Sequence, residues 1–365
     1  MEVLKHAYTY KHERHFLVKL LFILGATALV YGQDDGFSEN VDDNVYSWYI
    51  LDVTRILQKA KSNIIISPSN IKALLKTPPL VDLRFGNDEI MLGQNVIIAE
   101  SKEILIRPEN LELFYDCKIQ EASFTDKNQL ITTINNWTKS TTDENMLKSI
   151  ESNLERTDLQ VLILNMLNFK EILHMNFKYT LNVTFHERPD STIVLPAVET
   201  TEYLRYLDSQ ILDAKILELP YSNGYFMYIL LPHTKQGVNE MINNLGYEQL
   251  KRIQWMMEER RVNVVMPTFK YHFMTNMREH IQKNSAHRFD IDFKPTFGVE
   301  TEKVNILQAT SVQFNGSGKA RVEDYKKTQA IKYERFHVDR PFAFYIEEKN
   351  TGRIVCIGKV LNPML

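Results

Sequence analysis

The stretch FHVDRPFAFYIEEKNTGRIVCIGKVLNP, from Phe336 to Pro363, decides the fold of this chain. Within it, Phe342 to Ile346 is a short, β-rich apolar segment bounded by turn residues, and it reads as a strand. Ile354 to Ile357 is a second apolar run, in which Cys356 reads as a small buried hydrophobe. Further upstream the same kind of segment recurs at Asn95 to Ala99, Val161 to Phe169, Lys215 to Leu219, Phe226 to Leu231 and Val262 to Met266. Helical spacing of apolar residues marks Val45 to Lys59, which leads into the apolar run Asn63 to Ser67. Lys127 to Thr138 and Val238 to Ile253 are further helical stretches. These strands and helices do not alternate regularly, which argues an α+β architecture rather than a doubly wound sheet.

The chain has 365 residues, 44% of them hydrophobic and 24% charged, so it can bury a sizeable core. No repeat or low-complexity tract appears, and Pro and Gly are not gathered into a linker, so a single domain over 33–365 is the simpler reading. Its 43 basic and 46 acidic residues are interspersed and leave a net charge of −3. That balance points away from nucleic acid and anionic membranes, and towards protein or small-molecule partners.

Residues 1–32 combine Lys5, Lys11, Arg14 and Lys19 with the apolar run Leu20 to Val30 and the small Gly32. This is the pattern of a secretory signal peptide. The alternative, a membrane anchor, has only about half of the roughly 20 apolar residues a span needs. An extracellular destination is oxidising, yet Cys117 and Cys356 are too few for a disulfide framework. A single bridge between them remains the alternative to two free thiols. Sequons at Asn136, Asn182 and Asn315 make a glycoprotein the expectation wherever they are exposed.

The stretch from Phe336 to Pro363 resembles the C-terminal signature of the serpins, with Phe336, Asp339, Arg340, Pro341 and Phe342 as its conserved-type positions. Other landmarks follow in family order from about Val45 onwards. Asn63-Ile64-Ile65-Ile66-Ser67-Pro68 resembles the strand-to-helix corner, and LILNMLNFK (Leu162 to Lys170) the central strand with its Asn165. ILELPYSNGYFMYILLP (Ile216 to Pro232) resembles the ELPY hairpin, and VNVVMPTFKY (Val262 to Tyr271) the strand after it. The resemblance implies three β-sheets, a monomer, and an exposed reactive-centre loop at about 314–337 that acts as bait for a serine protease.

The chain also departs from that pattern. Between Leu75 and Gly93 only a short connection, TPPLVDLRFGNDEIM, replaces the rest of one helix and two more. One of those often binds sulfated polysaccharides in serpins, so no cofactor is expected. In the region that gates sheet opening, Ser67 and Asn165 are kept, Asn70 replaces a second Ser, and Ile306 stands where the family commonly has a His. The usual Trp near Leu173 and His174 is absent.

In serpins a cleaved loop inserts as a new strand into the main sheet and carries the acylated protease along. Alternate residues of such a strand enter the core and must be small and uncharged. Ser317 suits this, but the inward positions that follow are Lys319, Arg321 and Glu323. Burying such charges without partners costs several kcal/mol each. Shifting the register by one turns Gly318, Ala320, Val322 and Asp324 inward, and turns Ser317 outward. Phe314 stands where the hinge usually has Glu, and a glycan on Asn315 beside Gly316 would add bulk there. The hinge therefore predicts poor trapping. Register places the reactive bond at Ala330-Ile331, which suits an elastase-like protease, whereas Lys326, Lys327, Lys332 and Arg335 would attract a trypsin-like one.

Catalytic chemistry finds no support. No G-x-S-x-G elbow occurs, and Gly316-Ser317-Gly318 lacks the strand-to-helix setting that such an elbow needs. His12-Glu13-Arg14-His15 is too short for the zinc motif, the ten His residues are scattered, and Gly316-x-Gly318 lacks the third Gly of a phosphate loop. The expectation is thus a secreted protease inhibitor that traps poorly, with an extracellular binding or carrier protein as the alternative and a decayed duplicate as a third reading.

Overall fold

A computed structural model describes residues 53–68, 70, 93–114, 116–138, 158–169, 171–175, 177–179, 182–278, 292–314 and 332–364. All fall within the compact unit Val45–Leu365. The expected leader, the short connection after Leu75, Asn315 and most of the expected loop lie outside the described residues.

Two large sheets organise the chain. The first orders β1 (Ile64–Ile66), β16 (Arg353–Val360), β15 (Phe342–Glu348), β10 (Tyr225–Pro232), β9 (Ala214–Pro220), β8 (Ala197–Ser209), β11 (Glu258–Pro267) and β14 (Glu334–His337), with β5 (Lys178–Tyr179) against β8. The second has five strands in the order β12 (Phe269–Asn276), β13 (Val304–Phe314), β4 (Val161–Phe169), β2 (Gln94–Ala99) and β3 (Cys117–Glu121). A two-stranded hairpin, β6 (Val183–Arg188) with β7 (Ser191–Leu195), completes three sheets.

Among the described residues the helices are α1 (residues 53–59), α2 (Pro108–Phe114), α3 (Lys127–Thr138), α4 (Val238–Asn243), α5 (Tyr247–Met256) and α6 (Lys294–Phe297). The single helix expected over Val238 to Ile253 is in fact two. Gly246 has an extended backbone (φ −141°, ψ 176°) that interrupts the helical path and starts α5. Strand β4 begins and ends at the residues its apolar run marks, because both of its faces are covered and nearly every position is buried.

An aromatic core joins the two large sheets. Phe269 of β12 lies 5.5 Å from Phe314 of β13 and 6.3 Å from Phe344 of β15. Cys356 is buried in β16 and Cys117 sits in β3 of the other sheet; both are free thiols, so the alternative bridge is not formed. Burial pushes the Cys117 thiol up to about 12, which keeps it protonated and unreactive at neutral pH.

Two polar fastenings fix helices to the first sheet. Lys359 of β16, fully buried, donates to the carbonyls of Gln58 (3.4 Å) and Ala60 (2.5 Å) at the end of α1 and to Asn239 Oδ1 of α4 (3.0 Å). It thereby satisfies carbonyls that a helix C-terminus leaves open. At the end of α5, Gln254 makes two contacts with the sheet. Its carbonyl accepts from Arg205 of β8, whose other arm pairs with Glu218 of β9 at 2.8 Å, and its side-chain amide donates to Glu347 of β15.

Glu347 has an amide partner but, among the described residues, no cation. Burial raises its carboxyl to about 7, with Glu218 adding to the rise and Gln254 opposing it. Between the ordinary carboxyl value of 4.5 and about 7, the folded state holds a proton that the unfolded state has lost. Stability therefore falls as pH rises through that window, by up to about 3 kcal/mol before solvent screening. Glu347→Gln should flatten this fall and leave the variant more stable than the wild type at pH 8, as read by urea unfolding at pH 5 and pH 8. Parallel stability curves for the two proteins would refute the assignment.

Candidate functional site: sheet seam, hinge and loop anchors

On the core-facing side of the five-stranded sheet, an apolar surface is interrupted by one row of polar residues. Pairing aligns Asn95 of β2 with Asn165 of β4, Asn165 with Gln308 of β13, and Gln308 with Thr275 of β12. All four are buried. Asn165 is the hub of the row. Its Oδ1 accepts from Asn70 Nδ2 (2.7 Å) and Gln308 Nε2 (3.1 Å), and its Nδ2 donates to Asn95 Oδ1 (2.7 Å). The backbone N–H of Ser67, at the corner after β1, donates to Gln308 Oε1 at 2.8 Å. Buried amides are tolerable here because they satisfy one another.

Of the four residues expected in this region, Ser67, Asn70 and Asn165 meet. Ile306 does not join them: it pairs with Ile163 and lies in the hydrophobic core, while Gln308, two residues on along the same face, reaches Asn165. Gln308 and Asn95 were missed from sequence. The available signal was a lone polar residue with an amide inside each apolar run.

The row crosses the β4–β13 seam, where the strands run parallel from Val304↔Val161 to Val312↔Phe169. β13 ends at Phe314, which is fully buried, edge-on to Phe177 at 5.7 Å and stacked on its pairing partner Phe269. A carboxylate could not occupy this pocket without losing its hydration, so Phe314 fixes the end of β13 as an apolar anchor.

Segment 315–331 joins this anchor to β14, an edge strand of the other sheet. Lys332 and Tyr333 precede β14 and are exposed, and Lys215 Nζ of β9 donates to the Arg335 carbonyl at 3.2 Å. The signature residues then lock the chain down. Phe336 and Phe342 are fully buried, Arg340 Nε donates to the Pro232 carbonyl (2.7 Å) while its Nη1 pairs with Asp339, and the Asp339 carbonyl accepts from His186 N–H (2.7 Å).

Asn136 is exposed on α3, and Asn182 is exposed just before β6. Among the described residues there is no group of three or more metal-ligating side chains, and no helix is long and apolar enough to cross a membrane.

Residues 87–363 match the family model for Serpin (serine protease inhibitor). The chain belongs to the serpin family. A curated serpin relative, serine protease inhibitor 2 of Anopheles gambiae, is 22% identical over 405 aligned residues, covering 94% of this chain and 97% of that protein. The serpin fold is shared with mouse protein-Z dependent protease inhibitor, at a TM-score of 0.68, 18% identity, and coverage of 88% of this chain and 96% of that one. It is also shared with Serpin48 from the insect Tenebrio molitor, at a TM-score of 0.65, 21% identity, and coverage of 90% and 100%. Serpins are mostly serine protease inhibitors rather than enzymes.

Proposed function

We propose that this serpin is a secreted inhibitor-type protein that offers segment 315–331 to an extracellular serine protease as a pseudo-substrate and traps the protease poorly. The observation that carries the reading is Phe314: the hinge is plugged into the aromatic core instead of ending in a solvated carboxylate. The residues that follow add Lys319, Arg321 and Glu323 at alternate positions, which oppose entry into a buried sheet. Tethering between a buried anchor and an edge strand supports a bait role for the segment. Ala330-Ile331 suits an elastase-like enzyme, and Lys326, Lys327 and the exposed Lys332 suit a trypsin-like one. Exposure of Asn136 and Asn182 supports glycan addition on the secretory route.

Incubation with trypsin and with elastase tests the reading. The expected result is cleavage within 315–332, little denaturant-resistant complex, and no large rise in unfolding temperature after the cut. A stable covalent complex, or a large rise in stability on cleavage, would show that the loop inserts and that the charged hinge does not impede it. A segment that neither enzyme cuts would overturn the bait role and favour an extracellular binding or carrier protein.

A further inference from the structure

Segment 315–331 ends beside the solvent face of a sheet edge. β14 lies parallel to β11, from Val262↔Glu334 to Val265↔His337, and β11 is antiparallel to β8. Along β8, Leu204 and Tyr206 are buried, so the alternating Tyr203 and Arg205 face the other way, towards solvent. Arg261 of β11 pairs directly with Tyr203, and Tyr333 continues that row one residue before the Val262↔Glu334 pair. Arg335 comes next on the same face, opposite Asn263, and Lys332 is exposed where the segment ends.

Two aromatic and three cationic side chains therefore share one corner of the sheet. Tyr203 is 64% exposed and Tyr333 43% exposed. Beside Tyr203 a groove of about 370 Å³, lined also by Leu204, Arg205, Glu218, Pro220 and Glu259, leaves room along the ring. The carboxylates of this face are engaged elsewhere: Glu199 accepts from Asn263 Nδ2 at 2.9 Å, and Glu259 stands opposite Arg205. Among the described residues, no ion pair forms at Arg261, Arg335 or Lys332. Exposed Tyr and Arg with no role in the fold are the residue types that carry binding energy at protein interfaces.

We propose that Tyr203, Arg261, Tyr333 and Arg335 form a second docking face for the serine protease that engages the bait, and that they meet a carboxylate-bearing rim beside its cleft. This docking rests on the bait reading of 315–331. Covalent geometry names the occupant. An extended chain spans at most about 3.6 Å per residue, so the bond Ala330-Ile331 lies within about 11 Å of Tyr333. Tyr203 is two strand spacings further, about 10 Å. A stable interface covers about 800 Å² on each partner, a patch about 30 Å across. A protease seated on that bond therefore overlies the corner, and three cations without a partner there favour an acidic rim.

Binding to trypsin and to elastase whose nucleophilic serine is replaced by alanine tests the face without any cut, while cleavage of 315–332 by the active enzymes tests the bait. Arg261→Glu combined with Arg335→Glu should slow association with the tighter-binding enzyme about tenfold or more at about 50 mM salt, and most of that difference should vanish at about 0.5 M. Tyr203→Ala and Tyr333→Ala should each weaken binding about fivefold or more. Lys118→Glu combined with Lys127→Glu reverses as many charges at exposed positions on β3 and α3, and should bind like the wild type. Unfolding temperatures should match the wild type, since no changed group is buried. An equal loss in the Lys118 and Lys127 control, or a wild type that binds neither enzyme, overturns the face. If the active enzymes cut 315–332 while every variant binds like the wild type, the bait reading stands and the face fails. If the four residues govern binding while neither enzyme cuts 315–332, the bait reading fails and the face stands as a protease-binding surface in its own right.

Discussion

Phe314→Ala is expected to lower the unfolding free energy by about 3–4 kcal/mol, the range for removing a fully buried aromatic side chain. Phe314 is enclosed by Phe177 and Phe269, and Phe269 in turn stacks on Tyr271 at 4.7 Å. The cavity therefore opens inside a cluster that ties β12, β13 and β15 together and cannot collapse without moving strands. Urea unfolding checks the magnitude, and a change below about 1 kcal/mol would mean that the hinge is not anchored there. The effect should also be local. Amides at the end of β13 should exchange faster in the variant than those of β15 and β16, and cleavage in 315–331 should accelerate because its N-terminal tether is loose.

Asn165→Ala should cost about 3 kcal/mol, since a buried polar group stripped of its partner forfeits about 1–3 kcal/mol. Truncation removes three side-chain hydrogen bonds at once, to Asn70, Asn95 and Gln308. The expected fall in unfolding temperature is about 5 °C or more for a chain of this size. Non-additivity separates a network from isolated contacts. Gln308→Ala alone should destabilise less than Asn165→Ala, and the double variant should fall short of the sum of the two, because both remove the bond at 3.1 Å across the seam. Additive losses would show that Asn165 and Gln308 act independently.

Much of this was legible in the residues themselves. β4 and α3 end where their apolar patterns end, β4 because it is buried on both faces and α3 because its apolar residues line one buried face. The C-terminal signature announced its own tethering, since Arg340 donates to the Pro232 carbonyl at the end of β10 and the Asp339 carbonyl accepts from the His186 N–H of β6. The polar row was only half legible. Asn165 was recognised, but its partner on β13, Gln308, depends on strand register, which no local pattern records. β8 was hidden for a related reason. Its charged residues look like a solvated segment until β11 pairs with it from Ala197 to Tyr206, setting Glu259 opposite Arg205 and Asn263 opposite Thr201.

The direction of β13 has a consequence of its own. Within the five-stranded sheet, β13 and β4 run the same way, while β12 and β2 on their outer sides run the opposite way. The other parallel ladder, β2 with β3, runs opposite to β13, so a strand antiparallel to β13 would be parallel to both of its members. Parallel ladders are slightly weaker per residue than antiparallel ones. A polypeptide that doubles back on leaving β13 is antiparallel to β13 and, by the same token, to β4. Entering between them would exchange one slanted ladder for two perpendicular ones, adding a full set of backbone hydrogen bonds. Strand polarity thus leaves one lane in this sheet, between β13 and β4, where a strand antiparallel to β13 would meet antiparallel neighbours on both sides.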